Sequence, residues 1–245
     1  MLRASSPLNR GISAIVDVVS RLPRAIITVA TLAWTFISVA AQSTPGSSAQ
    51  DLAQALQRRY DTIKDFSADF VHSYRGGVLR KEIVERGQLL VKKPGKMRWE
   101  YAAPDEKLFV SDGVKLYSYI PRDKQVFVGS VQPDDQVTTP TMFLTGKGNL
   151  VRDFSSSFVE PAAGMPPGTR ALKLVPKTPQ RDYDWLILEI APETLELRGL
   201  VTVDAQGGQS TFSFTNLKEN AGLADKDFTF KMPRGVDVVS GAPSR

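Results

Sequence analysis

Cysteine is absent from this chain of 245 residues. Its absence excludes disulfides, thiolate metal sites and cysteine nucleophiles, and it rules out a lipid anchor attached through sulfur. Histidine occurs once, at His72, so there is no multi-histidine metal site. Placed between Val71 and Ser73 in an alternating stretch, His72 reads as a structural residue. Excess charge is nearly missing as well. The formal charge is +5, but Arg3, Arg10, Arg21 and Arg24 against Asp17 place +3 of it in the first 40 residues and leave +2 for the rest. Nucleic-acid binding needs a concentrated basic face, which +2 does not provide. The Gly207-Gly208 pair precedes a strand, not a helix, and so is no phosphate cradle. Asp134-Asp135, Asp182 with Asp184, and Asp225 with Asp227 are paired carboxylates in turn-rich segments, where turn and cap roles explain them. No catalytic set, metal or cofactor is expected, and an envelope hydrolase built on His72 or the aspartate pairs has little support.

What is present begins with a leader. Ala25 to Ala40 is an uncharged run of 16 residues preceded by Arg21 and Arg24. Ser38-Val39-Ala40 meets the small-x-small rule, and Val39-Ala40-Ala41 nearly does. These features predict a cleaved signal peptide over residues 1–40 and a single domain over 41–245, exported to the periplasm. A membrane anchor is the competing reading, but the run falls short of the roughly 20 residues a spanning helix needs.

After the Ser/Pro/Gly linker at 42–48, Ser47 with Gln50 suggests a capping box. Leu52, Ala55, Leu56, Tyr60 and Ile63 follow at helical spacing and predict an amphipathic helix. Strand alternation then takes over. Phe66, Ala68, Phe70, His72 and Tyr74 form one strand, Ile83 to Lys92 a second, and Met97, Trp99 and Tyr101 mark a third. Asp112-Gly113 signals a hairpin. A two-residue turn there would pair Phe109 with Leu116 on one face and Leu108 with Tyr117 on the other. Both faces are apolar, so the pattern does not say which is inner. Gln125 to Val131 is a further strand. Thr139-Pro140 opens a short helix carrying Met142, Phe143 and Leu144, with Gly146 and Gly148 ending it. That element suits a movable lid, and a connector packed on the core is the alternative.

The second half predicts strands at Phe154 to Glu160, Arg170 to Pro176, Tyr183 to Ile190, Glu196 to Asp204 and Ser210 to Lys218, with Phe228 to Phe230 as a late strand and Gly235 to Arg245 as a fraying tail. No βαβ alternation appears, so the sheet should be antiparallel. An apolar sheet with a lid and few polar groups suits a lipid-like ligand. Candidate cavity positions are Phe70, Leu89 and Val91 on the first two strands and Met97, Trp99 and Tyr101 on the third. Phe109 and Leu116, where their face of the hairpin is the inner one, and Phe212 and Phe214 on a late strand complete the set. Lys92, Lys93, Lys96 and Arg98 form a basic cluster, either a seat for an anionic headgroup or a solvated loop.

Several segments carry a family resemblance: the helix from Leu52 followed by Asp65-Phe66-Ser67-Ala68-Asp69-Phe70, then LLVKKPGKMRWEY, PDEKLFVSDGVKLYSYIPRDKQ, Thr139-Pro140 with its apolar helix, and FTFKMPRGV near the C-terminus. Together they resemble the periplasmic outer-membrane lipoprotein carrier (LolA) family over nearly all of the chain after the leader. The resemblance implies a mainly β fold with some α (α+β): an unclosed antiparallel barrel of about 11 strands covered by a lid of short helices. It implies a monomeric carrier whose cavity takes the acyl chains of lipoproteins, loaded by an inner-membrane ABC exporter and unloaded to an outer-membrane acceptor. Met97, Trp99 and Phe109 then match cavity-side positions, and Pro140, Met142, Phe143 and Leu144 belong to the lid. Lys93 stands where a basic residue, usually Arg, latches the lid through its backbone carbonyls. Lysine lacks the planar fork of arginine, which implies a weaker latch. Met97 also replaces a more usual aromatic. A lipid- or lipoprotein-sensing interaction domain of the same fold is the alternative function.

Overall fold

The computed structural model describes residues 48–76, 82–131, 144–146, 148–180, 183–204 and 206–240. A helix, α1 (Ala49–Thr62), opens the described part. Its cap lies one residue later than the sequence suggested. Ser48 Oγ accepts the Asp51 N–H at 3.0 Å, and the Asp51 carboxylate accepts the Ser48 N–H. Asp51 adds a negative charge where the helix N-terminus is positive, which Gln50 would not. Leu52, Ala53, Leu56 and Tyr60 form its buried stripe.

Among the described residues twelve strands make one sheet. In chain order they are β1 (Asp65–Arg75), β2 (Glu82–Lys92), β3 (Lys96–Ala103), β4 (Lys107–Asp112), β5 (Lys115–Ile120), β6 (Gln125–Ser130), β7 (Phe154–Val159), β8 (Arg170–Pro176), β9 (Trp185–Ala191), β10 (Glu196–Val203), β11 (Gln209–Glu219) and β12 (Asp237–Ser240). The spatial order is β12-β6-β5-β4-β3-β2-β1-β11-β10-β9-β8-β7. Among the described residues the two end strands do not pair, so the sheet is unclosed, and every neighbouring pair except β12 with β6 is antiparallel as expected. A short helix that the sequence did not suggest, α2 (Leu150–Asp153), leads into β7. Asn149 caps it, its side chain accepting the Val151 and Arg152 N–H groups.

Two segments near the C-terminus differ from expectation. Phe228 to Phe230 is not a strand. Asp225–Phe228 is a single 3-10 turn, Phe228 is buried, and Phe230 stacks on Tyr117 with ring centroids 4.9 Å apart. The segment lies against β3 and β4, with aromatic side chains as its attachment instead of a ladder. The supposed tail contains β12, which pairs with β6 in parallel. All four of its side chains are exposed, so no apolar alternation marks it and its backbone alone makes it a strand.

One face of the sheet carries the main core, and we call it the inner face. Leu172, Leu174, Leu186, Leu188, Ile190 and Leu200 line it on β8 to β10, and α1 packs there against β7 and β8. The outer face has its own smaller apolar patch, where Val110 and Val126 are fully buried outside the main cluster.

Candidate functional site

The inner face of β1 to β5 and β11 is built from transverse rows, because antiparallel partners on one face stand directly opposite each other. One row runs Leu116–Ser111–Met97–Val91–Phe66, and the next runs Ser118–Phe109–Trp99–Leu89–Ala68. A third runs Lys107–Tyr101–Gly87–Phe70–Phe214, and a fourth runs Glu85–His72–Phe212–Leu200. Every candidate cavity residue therefore lies on one continuous surface. Phe70, Leu89, Val91, Met97, Trp99, Phe212 and Phe214 are buried within the core cluster, while Tyr101, Phe109 and Leu116 pack against it half-buried.

Phe70 is the hub. Its ring meets Trp99 at 5.0 Å, Tyr101 at 4.8 Å and Phe212 at 6.2 Å, all edge to face, the favoured geometry for aromatic quadrupoles. Gly87 makes this convergence possible. A Cβ there would run into the Glu100 carbonyl and come within 2.8 Å of the Phe70 ring.

The hairpin register differs from the sequence expectation. Phe109 faces Ser118, Val110 faces Tyr117 and Ser111 faces Leu116. The loop is two residues longer than a tight Asp-Gly turn because the Asp112 carboxylate accepts both the Val114 and Lys115 N–H groups. A two-residue slip preserves the faces. Phe109 and Leu116 therefore still share the inner one, and Leu108 and Tyr117 the outer one.

Of the lid residues, Pro140, Met142 and Phe143 lie outside the described residues. Leu144 is buried in the core cluster. Three contacts hold the segment that follows it. The Tyr60 hydroxyl donates to the Leu144 carbonyl. The Gly95 N–H donates to the Thr145 carbonyl at 3.1 Å. The aliphatic part of Lys93 packs on Gly146, where a Cβ would stand 2.8 Å from Lys93 Cδ. The Lys93 ammonium donates to the Tyr60 carbonyl and lies over the Tyr60 ring, 3.3 Å from its centroid, a cation–π position. Burial brings the Lys93 pKa down to about 8, opposed by the nearby Asp61 and Glu219. Burial also pushes the Tyr60 hydroxyl well above its usual value. The contact is thus a relay from Lys93 to Tyr60 to the backbone of Leu144. The sequence reading assigned Tyr60 only to the apolar face of α1. A hydroxyl on that face, in the last turn before a strand, was the available signal.

A family model described as "Outer membrane lipoprotein carrier protein LolA" matches residues 61–231. The chain belongs to the LolA family. Among relatives named outer-membrane lipoprotein carrier protein, that of Chromohalobacter salexigens is 32% identical over 76% of this chain and 86% of its own length. That of Hahella chejuensis is 29% identical over 84% of this chain and 97% of its own. That of Pseudomonas aeruginosa PAO1 is 32% identical over 62% of this chain and 70% of its own.

Within this LolA-family chain, the basic cluster beside the wall is largely engaged. Lys92 and Lys96 reach Asp225 at 2.7 and 3.0 Å, and Arg98 pairs with Glu100. These lysines, by hydrogen bond and charge, hold the Asp225 carboxyl below the usual carboxylate range. Asp227 accepts the Ala224 N–H, so this aspartate pair serves in turn and ion-pair contacts. A separate apolar cleft of about 30 Å³ opens between α1 and the β9–β11 side, lined by Leu56, Ile63, Leu188 and Leu217 with the Arg59–Glu219 pair beside them.

Proposed function

We propose that this protein is a soluble periplasmic carrier that shields the acyl chains of lipoproteins between the inner and outer membranes. The observation that carries the reading is the continuous apolar and aromatic inner face of β1 to β5 and β11, with a lid segment tied beside it by Tyr60. Family membership supports the carrier role over a sensing domain. An inner-membrane ABC exporter loads the cargo and an outer-membrane acceptor takes it. Acyl chains gain about 0.8 kcal/mol per buried methylene, so shape and greasiness suffice for grip, and release requires the lid to move.

The ten wall residues contribute unequally. Met97 and Trp99 are packed into the core, so a charge there damages the fold along with the cavity. Phe109 and Leu116 are half-buried at the hairpin and reach the same surface with less structural duty. Phe109→Asp and Leu116→Asp are therefore the discriminating variants. Each is expected to lower uptake of a fluorescent fatty acid at least tenfold while far-UV circular dichroism stays unchanged. Undiminished uptake by both folded variants would remove the wall from the binding site.

A further inference from the structure

The fourth row of the inner face ends in a polar pair that the acyl-binding reading does not use. His72 on β1 and Glu85 on β2 stand opposite each other, with His72 Nδ1 3.2 Å from Glu85 Oε2. Glu85 is almost fully buried, and Lys107 donates to its other oxygen. The His72 ring stacks on Phe212, with centroids 4.1 Å apart and planes within 3° of parallel. Tyr101 stands at 6.1 Å from it, edge on. With the Lys107 ammonium donating to its other oxygen, Glu85 is the acceptor of the pair, so the proton between them sits on His72 Nδ1. Burial lowers the His72 pKa from its ordinary value, outweighing the opposing pull of Glu85, which favours the neutral ring. Its Nε2 then carries a bare lone pair. That atom is buried and has no partner among the described residues. A buried acceptor left unpaired is costly, and here it is held at a fixed angle by Glu85 on one side and Phe212 beneath.

We infer that His72 Nε2, oriented by Glu85, is a binding subsite for a hydrogen-bond donor on the lipid ligand, of the amide N–H class, at the end of the apolar wall. The inference rests on the carrier reading and adds a polar specificity element to it. Ester carbonyls offer only acceptors, so this subsite does not recognise the ester-linked chains of a lipid. An amide N–H joining an acyl chain to a peptide offers the complementary donor. Phe70, Trp99 and Phe212 would take the chain alongside, so one ligand satisfies both the apolar row and its polar end.

Two probes of equal length isolate the effect: N-methylpalmitamide, which carries one amide N–H, and methyl palmitate, which carries none. Their affinities are measured by displacement of bound 1-N-phenylnaphthylamine from the purified protein and from two variants. His72→Phe keeps a ring to stack on Phe212 but has no lone pair, whereas His72→Gln restores an acceptor. The amide-to-ester affinity ratio of the wild type is expected to fall about fivefold in His72→Phe, the size of one net hydrogen bond. It is expected to recover in large part in His72→Gln. Ester affinity should be equal in all three proteins, which shows the wall intact. An equal ratio in wild type and His72→Phe, with ester binding retained, overturns the subsite and leaves the carrier reading standing. Failure of the wild type to bind either probe overturns both.

Discussion

Lys93 is the residue whose chemistry departs most from its sequence expectation. The resemblance predicts a basic side chain latching lid carbonyls directly. Here the ammonium donates to the Tyr60 carbonyl of α1, and the Leu144 backbone is reached through the Tyr60 hydroxyl. The depressed pKa of about 8 has a consequence for stability. An unfolded lysine titrates near 10.4. Between about pH 8 and pH 10.4 the unfolded chain holds a proton that the folded chain has lost, so Lys93 contributes increasing stability as pH rises through that window. Lys93→Met should abolish this contribution. Urea midpoints of wild type and Lys93→Met at pH 7.5 and pH 9.5 read it directly, with the wild type expected to gain on the variant at the higher pH. A difference that stays constant, or that shrinks, would place the ammonium in a solvated position. Residues of this kind are hard to read in sequence because the information is not local. Trp99, Leu89 and Phe70 were legible from alternation alone. Tyr60, Glu85 and the bare nitrogen of His72 acquire meaning only when strands far apart in the chain become neighbours.

At the scale of elements, α1, the alternating strands and the Asp-Gly hairpin were all legible, because each advertises itself by period or turn chemistry. The errors follow from what pattern does not contain. The Asp112 side chain captured two amides and lengthened the hairpin loop. Asp51 captured the N-terminus of α1 in place of Gln50. Phe228 and Phe230 alternate like a strand but serve as plugs on the outer face, and β12 shows no alternation because no side chain of it is buried. The Tyr60 contact belongs to this scale, since it joins α1 to the segment at 144–146. Tyr60→Phe removes the donor to the Leu144 carbonyl and should cost about 1 to 2 kcal/mol, the loss of one buried hydrogen bond. Amide hydrogen exchange at Thr145 and Gly146 should accelerate more than in the β8–β10 leucine core. Unchanged exchange there would show that the hydroxyl does not hold the segment.

Among the described residues the chain forms an unclosed twelve-stranded sheet whose inner face carries leucines on one side and aromatic rings on the other. On the β7 to β10 side the leucines and α1 make a conventional core. On the β11, β1 to β5 side aromatic rings join the same buried cluster, with residues 144–146 beside them. An ordinary globular protein needs only the first. The second is the surface on which the proposed carrier function rests. An antiparallel, barrel-like sheet was readable from the absence of βαβ units and the density of half-buried strands, while its unclosed form was implied by the family resemblance. The role of the aromatic side was not readable, because both sides are equally apolar in sequence and belong to one buried cluster.

The most direct test of the carrier account is release from membranes. Inner membranes containing a lipoprotein and its ABC exporter are supplied with ATP and the purified protein, and the soluble fraction is analysed. The account predicts lipoprotein in that fraction, bound one to one to this protein, and none when ATP is omitted. Lipoprotein that stays in the membrane while the protein remains folded and unbound would contradict it.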